Sequence, residues 1–189
     1  MNKLVILDRD GVVNQDSDAY IKSLAEWRPI EGSISAIARL NHAGWRVAIA
    51  TNQSGIARGY YTLETLHAIH DRMASLIARA GGNLAALEYC PHLPSDECAC
   101  RKPKPGMLNE IIARLGIGAK TERWMVGDSL TDIQAGVAAN CRTSLVLTGK
   151  GTRHEREVRR KYPDTWICRD LAAFVERLTV EDSSTPNDV

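Results

Sequence analysis

Short apolar runs alternate with amphipathic stretches along this chain, and each pattern predicts an element. Lys3–Leu7 (KLVIL) carries four consecutive apolar residues and stops at Asp8, as expected of a strand buried on both faces. Ile34, Ile37, Ala38 and, on the flank, Leu40 predict a helix over 33–41, with Ser33 as its N-cap and Gly44 near its stop. A second strand over 46–51 (RVAIAT) runs into a loop over 52–59. Thr62 opens a long helix with Leu63, Leu66, Ile69, Met73, Leu76 and Ile77 at helical spacing, ended by Gly81 and Gly82. A third strand over 84–89 leads into a cysteine-rich loop. Pro105 suits the first turn of the next helix, which Gly116 stops. Strands over 124–126, 143–147 and 165–168 and helices over 130–140 and 170–178 complete the pattern. The tail 179–189 is polar and without periodicity, and is expected to be disordered.

Strands and helices alternating at this spacing predict an α/β fold, a Rossmann-like parallel sheet with helices on both faces. The 189 residues suit a single domain, placed over 1–178. Ligands of such folds bind beyond the carboxyl ends of the strands, which directs attention to Asp8, Thr51, Cys90 and Asp128. The 24 basic and 23 acidic residues nearly cancel, against a mainly electrostatic nucleic-acid or membrane binder. Apolar runs stay far below the ~20 residues of a membrane span. The first strand begins too early for a signal peptide, so a soluble cytoplasmic protein is expected. The segment 149–162 holds six Lys/Arg against two Glu and reads as a solvated surface helix. His67 and His70 read as exposed or partly packed helix residues.

Asp8-Arg9-Asp10-Gly11 follows the first strand directly. If the backbone stays extended, both carboxylates point the same way, and their repulsion calls for a divalent cation or a shared proton. Asp and Gly also suit an ordinary solvated turn. Gly127-Asp128-Ser129 with Asp132 adds acid at the same sheet edge, Thr51 offers a hydroxyl, and Arg101-Lys102 offers two cations. Singly, Asp128 could be a helix cap, Thr51 a strand end and Lys102 a surface charge. Together they supply what phosphoryl transfer needs: acids for Mg²⁺, an anion-binding hydroxyl and cations.

Asp8-x-Asp10-Gly11, Thr51-Asn52, Lys102 and Gly127-Asp128-x-x-x-Asp132 resemble, in order, the four motifs of the haloacid-dehalogenase-like phosphatase superfamily. Within it, the run 51–59 (TNQSGIARG), the cysteine loop and 101–107 (RKPKPGM) are similar to the heptose bisphosphate phosphatase family. Histidinol-phosphate phosphatases share the motifs and a similar loop, and form the competing enzyme reading. A catalytically silent zinc-stabilised binding module is a third. The resemblance implies removal of the 7-phosphate of D-glycero-D-manno-heptose 1,7-bisphosphate through an aspartyl-phosphate. The product, heptose 1-phosphate, would feed nucleotide-activated heptose for cell-surface lipopolysaccharide. It implies Asp8 as nucleophile, Asp10 as acid and base, and Thr51 and Lys102 as phosphoryl-binding groups. Mg²⁺ would sit on Asp8, Asp128 and the main-chain carbonyl of Asp10, with Asp132 ordering its water shell. Substrate contacts are expected at Asn52, Gln53, Ser54, Arg101 and Ser129, and at Asp16 and Tyr20 in the loop after the first motif. Two departures stand out: Val12 where relatives often carry threonine, and Ser129 where heptose phosphatases can carry lysine. The motif spacing leaves no room for a separate cap domain. A monomer acting on a small sugar phosphate is expected, with no nucleic-acid or membrane partner.

Three of the five cysteines crowd into Cys90-x-His92-x5-Cys98-x-Cys100. Three thiolates and an imidazole suit a closed tetrahedral zinc site of structural type. The one-residue gaps also leave open a disulfide or buried thiols beside a chance histidine. Zinc in this loop, 90–100, would fix the place of Arg101 and Lys102.

Overall fold

The computed structural model describes residues 3–184. Its parallel strands are β1 (Lys3–Leu7), β2 (Trp45–Asn52), β3 (Ala86–Cys90), β4 (Arg123–Gly127), β5 (Arg142–Val146) and β6 (Trp166–Cys168), in the order β3-β2-β1-β4-β5-β6. Helices α1 (Ser33–His42), α2 (Leu63–Arg79) and α6 (Leu171–Ser184) pack on one face. Helices α3 (Gly106–Arg114), α4 (Leu130–Ala138) and α5 (Gly151–Lys161) cover the other. The two faces explain why β1 is uniformly apolar. Val5 and Leu7 enter the core beneath α1, α2 and α6, while Leu4 and Ile6 meet Met107, Leu108 and Ile111 of α3. Burying each such side chain contributes roughly 1.5–3 kcal/mol.

Strand β1 has β2 on one side and β4 on the other. The chain winds outward to β3, then returns to β4 and winds the opposite way. A crevice opens at that reversal, beyond the carboxyl ends of β1 and β4. Asp8 and Asp128 follow those two ends. No helix among the described residues is long and apolar enough to cross a membrane.

Most predicted elements stand within a few residues of their expected bounds, and Thr62 caps α2 as expected, its hydroxyl accepting from Thr65 N–H at 3.2 Å. Two expectations fail. Ser33 does not cap α1; Gly32 holds that position, and the buried Ser33 hydroxyl donates to the Val12 carbonyl at 2.7 Å, tying α1 to the loop after β1. The last helix does not stop at Leu178 but continues through Ser184, so 179–184 are helical, and of the tail 185–189 lie outside the described residues. Long-range partners override the weak local pattern. Asp182 pairs with Lys3 at 2.5 Å and accepts from the Trp45 indole at 2.9 Å. The segment's polarity therefore reflects contacts back to the sheet edge.

Asp182→Ala should lower the unfolding free energy by about 1 kcal/mol, from loss of the indole bond and a partly buried ion pair. Urea unfolding checks this; an unchanged midpoint would mean that the end of α6 is not docked.

Candidate active site

The chain bends at Arg9 instead of staying extended, and the N–H groups of Val12, Val13 and Asn14 all turn back to the Arg9 carbonyl. Gly11 lies at φ +80°, and a Cβ there would sit 2.0 Å from Asp128 Oδ2. A Cβ on Gly149 would fall 2.1 Å from the same oxygen. Glycine at both positions lets two backbone segments close around Asp128, and Lys150 N–H donates to its Oδ2 at 2.8 Å.

Lys102 is the centre of the arrangement. Its buried ammonium lies 2.6 Å from Asp132 Oδ1 and 3.0 Å from Asp8 Oδ1, and donates to the Ala50 carbonyl at 2.7 Å. Burial alone would strip its proton, but Asp132 and Asp8 outweigh that and hold its pKa above the ordinary lysine value. Asn52 fixes its backbone from both sides, accepting from Lys102 N–H and donating to Lys102 C=O, each at 3.1 Å. The second oxygen of Asp132 accepts from Ser129 N–H at 3.0 Å and from Ser129 Oγ at 2.6 Å.

Asp8, Asp128 and Asp132 place carboxylate oxygens within 4.8 Å of one another. Three carboxylates against one ammonium leave an excess of two negative charges, which a divalent cation would balance. The strain shows in the acids themselves. Burial pushes Asp8 up to about 7, with Lys102 opposing and Asp132 and Asp10 adding. Burial likewise pushes Asp128 to about 8, reinforced by Asp132 and Asp8. With both oxygens of Asp132 already engaged, Asp8 and Asp128 are the carboxylates able to turn to a metal. The donor set is hard oxygen, as Mg²⁺ requires.

Asp10 behaves in the opposite way. Burial would raise its pKa, but the Arg9 guanidinium prevails, with Asn14 and Gln53 as further donors, and the carboxyl is held below its usual range. Arg9 grips it through Nε at 3.0 Å and Nη2 at 2.9 Å. Gln53 Nε2 donates to Asp10 Oδ2 at 2.9 Å and to Thr51 Oγ1 at 2.8 Å. Thr51 thus has its acceptor side occupied and its O–H free to donate to an anion.

A cavity of about 390 Å³ brings the sequence-predicted catalytic and substrate residues to one place, with Asp16, Tyr20, Ser54, Arg101 and Ser129 around its walls. Asn52 and Gln53 line the cavity too, and their amides are also hydrogen-bonded to the protein's own groups. Ser129 stands at the N-cap of α4, where its backbone N–H donates to Asp132. Sequence reasoning missed several participants. Arg9 is fully buried beneath Asp10, although it stands in the middle of the first motif. His70 is buried too, and burial together with the nearby Arg9 lowers its pKa to about 3. Lys150 and His154, from the start of the basic segment, reach the cavity mouth. There Lys150 pairs with Asp16 at 2.9 Å and Asp18 at 3.5 Å. Lys150, just ahead of α5, thus adds a cation to the cavity lining besides Arg101 and the committed Lys102.

Cys90, His92, Cys98 and Cys100 converge. Their sulfurs lie 3.2–3.6 Å apart, and His92 Nδ1 is 3.5 Å from Cys90 Sγ and 3.3 Å from Cys100 Sγ. The three cysteines are free thiols, their sulfurs far beyond a disulfide bond of ~2.05 Å. Tetrahedral ligands at the ~2.3 Å of a zinc–sulfur bond would stand about 3.8 Å apart, so the cluster is close to the size zinc needs. Arg101 Nη1 donates to the His92 carbonyl at 3.2 Å, linking the cluster to the cavity wall.

A family model described as HAD-hydrolase-like matches residues 99–174. A D-glycero-beta-D-manno-heptose-1,7-bisphosphate 7-phosphatase of Pseudomonas putida is 55% identical over 177 residues, covering 93% of this chain and 99% of the relative. The Neisseria meningitidis protein of the same name is 46% identical over 187 residues, covering 98% and 100%. The crystal structure of D,D-heptose 1,7-bisphosphate phosphatase from B. bronchiseptica, complexed with magnesium and phosphate, superposes with a TM-score of 0.90. It is 50% identical, with 95% of this chain and 99% of that one covered.

Asp8 and Asp128 hold their protons more tightly in the folded chain than in the unfolded one. Their contribution to stability is complete below the ordinary carboxylate value and is lost as pH rises through about 7 and about 8. Cation-free protein should therefore melt at falling temperature between about pH 5 and about pH 8.5, and Mg²⁺ should recover more stability at the upper end. Calorimetry with and without Mg²⁺ checks it; an equal Mg²⁺ effect at both ends would contradict the charge account.

Proposed function

We propose the following reaction for this chain, which belongs to the D-glycero-beta-D-manno-heptose-1,7-bisphosphate 7-phosphatase family: hydrolysis of the 7-phosphate of the β-anomeric bisphosphate, leaving heptose 1-phosphate. The observation that carries it is one cavity in which a buried lysine pairs with Asp8, a second carboxylate lies two residues on, and the Thr51 hydroxyl faces the same space.

Asp8 attacks phosphorus and becomes an aspartyl-phosphate. Lys102 and Thr51 donate to the phosphoryl oxygens as charge develops on them. Asp10 gives a proton to the departing sugar oxygen, then takes one from the water that cleaves the aspartyl-phosphate. Its resting carboxylate suits the second step. For the first, the negative charge of a phosphate ester bound beside it raises its affinity for a proton. Asp8, Asp128 and the Asp10 carbonyl would hold Mg²⁺, which supplies charge neutralisation at the phosphoryl group. Asp132 serves by holding Lys102 and Ser129.

The primary 7-phosphate stands clear of the sugar ring and can reach the cavity floor without driving the ring into the sheet. Arg101 and Lys150, at the walls, are the cations available to the 1-phosphate, with Asp16, Tyr20, Ser54 and Ser129 facing the sugar. Remote contacts of this kind hold the reacting end in line. Zinc on Cys90, His92, Cys98 and Cys100 is structural, and sets the position of Arg101 and Lys102. In this reading the chain acts as a monomer, and a cytoplasmic place accords with its bacterial relatives, which are named as sugar bisphosphate phosphatases.

Asp8→Asn should lose turnover by at least about 10³-fold and Asp10→Asn by at least about 10²-fold, both remaining folded. Phosphorus NMR of the products should show the 7-phosphate signal lost and the anomeric one kept; the reverse would turn the substrate around. Metal analysis should find about one tightly held zinc per chain, and Cys98→Ser should release it and lower the melting temperature. Zinc-free protein of unchanged stability and activity would refute the zinc assignment.

A further inference from the structure

Beneath Asp10 lies a buried polar network with more members than the chemistry uses. Tyr61, 7% exposed, donates its hydroxyl to Gln53 Oε1 at 2.6 Å, the shortest bond in the set. Arg9 Nη2 donates to the same oxygen at 3.2 Å. With its carbonyl end held by two donors, the Gln53 amide must turn its NH₂ the other way, one N–H to Asp10 and one to Thr51. A flipped amide would set N–H against the Arg9 guanidinium and oxygen against the Asp10 carboxylate. Arg9 Nη1 is in turn 3.3 Å from His70 Nε2. A guanidinium offers no acceptor, so this ring nitrogen accepts and the imidazole is neutral, adding no charge beside Arg9. The fold makes room for the arrangement: a Cβ on Gly55 would lie 2.2 Å from the Tyr61 ring.

We propose that Tyr61 is a positioning residue for proton transfer: through Gln53 it aims the Asp10 carboxyl at the leaving oxygen. Tyr61 forms no bond to Asp10 itself; its hydroxyl fixes the direction of the amide that does. The geometry also accounts for Gly55 and Gln53 within the run 51–59, which otherwise looks like a substrate loop. The proposal rests on the assignment of Asp10 as general acid.

A leaving-group series separates this role from simple stabilisation. A sugar or alkyl phosphate needs a proton delivered to the departing oxygen, whereas a nitrophenolate leaves without one. The ratio kcat/KM reports the steps up to the first departure. For Tyr61→Phe, kcat/KM with heptose 1,7-bisphosphate should fall about tenfold, from loss of one buried hydrogen bond. With 4-nitrophenyl phosphate it should fall less than about twofold, so a series of aryl phosphates should show a steeper dependence on leaving-group basicity than wild type. KM for the sugar should hold within about twofold, and the melting temperature checks that the variant is folded. Equal losses on both substrates, or none on either, would overturn the role of Tyr61. A wild-type rate that already depends steeply on leaving-group basicity would instead remove the acid role of Asp10, and the proposal with it. Failure of wild type to use the heptose substrate while turning over alkyl phosphates would refute the substrate reading alone, and the series would still decide Tyr61.

Discussion

A lysine ammonium shut away from water between two carboxylates constrains the rest of this structure. Lys102 Nζ touches Asp8 after β1, Ala50 in β2 and Asp132 in α4, so three elements meet at one atom. Removing a partner from a buried pair costs about 3–5 kcal/mol, because an uncompensated charge remains inside. The sequence around Lys102 accordingly fixes it from several directions. Asn52 brackets its backbone, the cysteine loop delivers it to the sheet edge, and Ser129 aligns Asp132 from the far side. Three partners hold this charge in one place, and in the proposed reaction a fixed charge suits a transferring phosphoryl group.

The same centre splits two carboxylates that stand two residues apart. Asp8 shares an over-acidic pocket and is pushed up towards neutrality, whereas Asp10 is gripped by Arg9 and pulled down. Neighbouring acids with separated proton affinities suit separated roles, and the proposed reaction uses them so: Asp8 as the nucleophile beside Lys102, Asp10 as the proton carrier gripped by Arg9. The two dependences are built on different faces of one short turn, and Gly11 lets that turn fold over Asp128.

Much of this was legible in the sequence. Apolar runs ending in Asp8, Thr51, Cys90 and Asp128 located the sheet edge, and the residue types after them named the chemistry. Direction was not legible. Asn52 and Gln53 belong to the cavity, yet only coordinates show their amides turned inward onto Lys102 and Asp10. Arg9 sits between two conspicuous aspartates, but a linear motif gives no sign that its guanidinium is buried under one of them. Lys150 and His154 were hidden in a basic stretch whose helix is otherwise solvated, as the exposed Arg159–Glu155 and Lys161–Glu157 pairs confirm. Only its first turn meets the cavity. The end of α6 escaped for a related reason: its partners, Lys3 and Trp45, lie more than a hundred residues away.

The account turns on Asp8 as a covalent relay held in place by Lys102, and the stereochemical course at phosphorus addresses that claim without relying on any variant. Hydrolysis of a substrate whose reacting group is a thiophosphate bearing two oxygen isotopes, in water of the third isotope, can proceed by one displacement or by two. Transfer to Asp8 followed by attack of water inverts the centre twice, so the account predicts chiral inorganic thiophosphate of retained configuration. Inverted thiophosphate would mean that water attacks the ester directly, and that Asp8 is not the nucleophile.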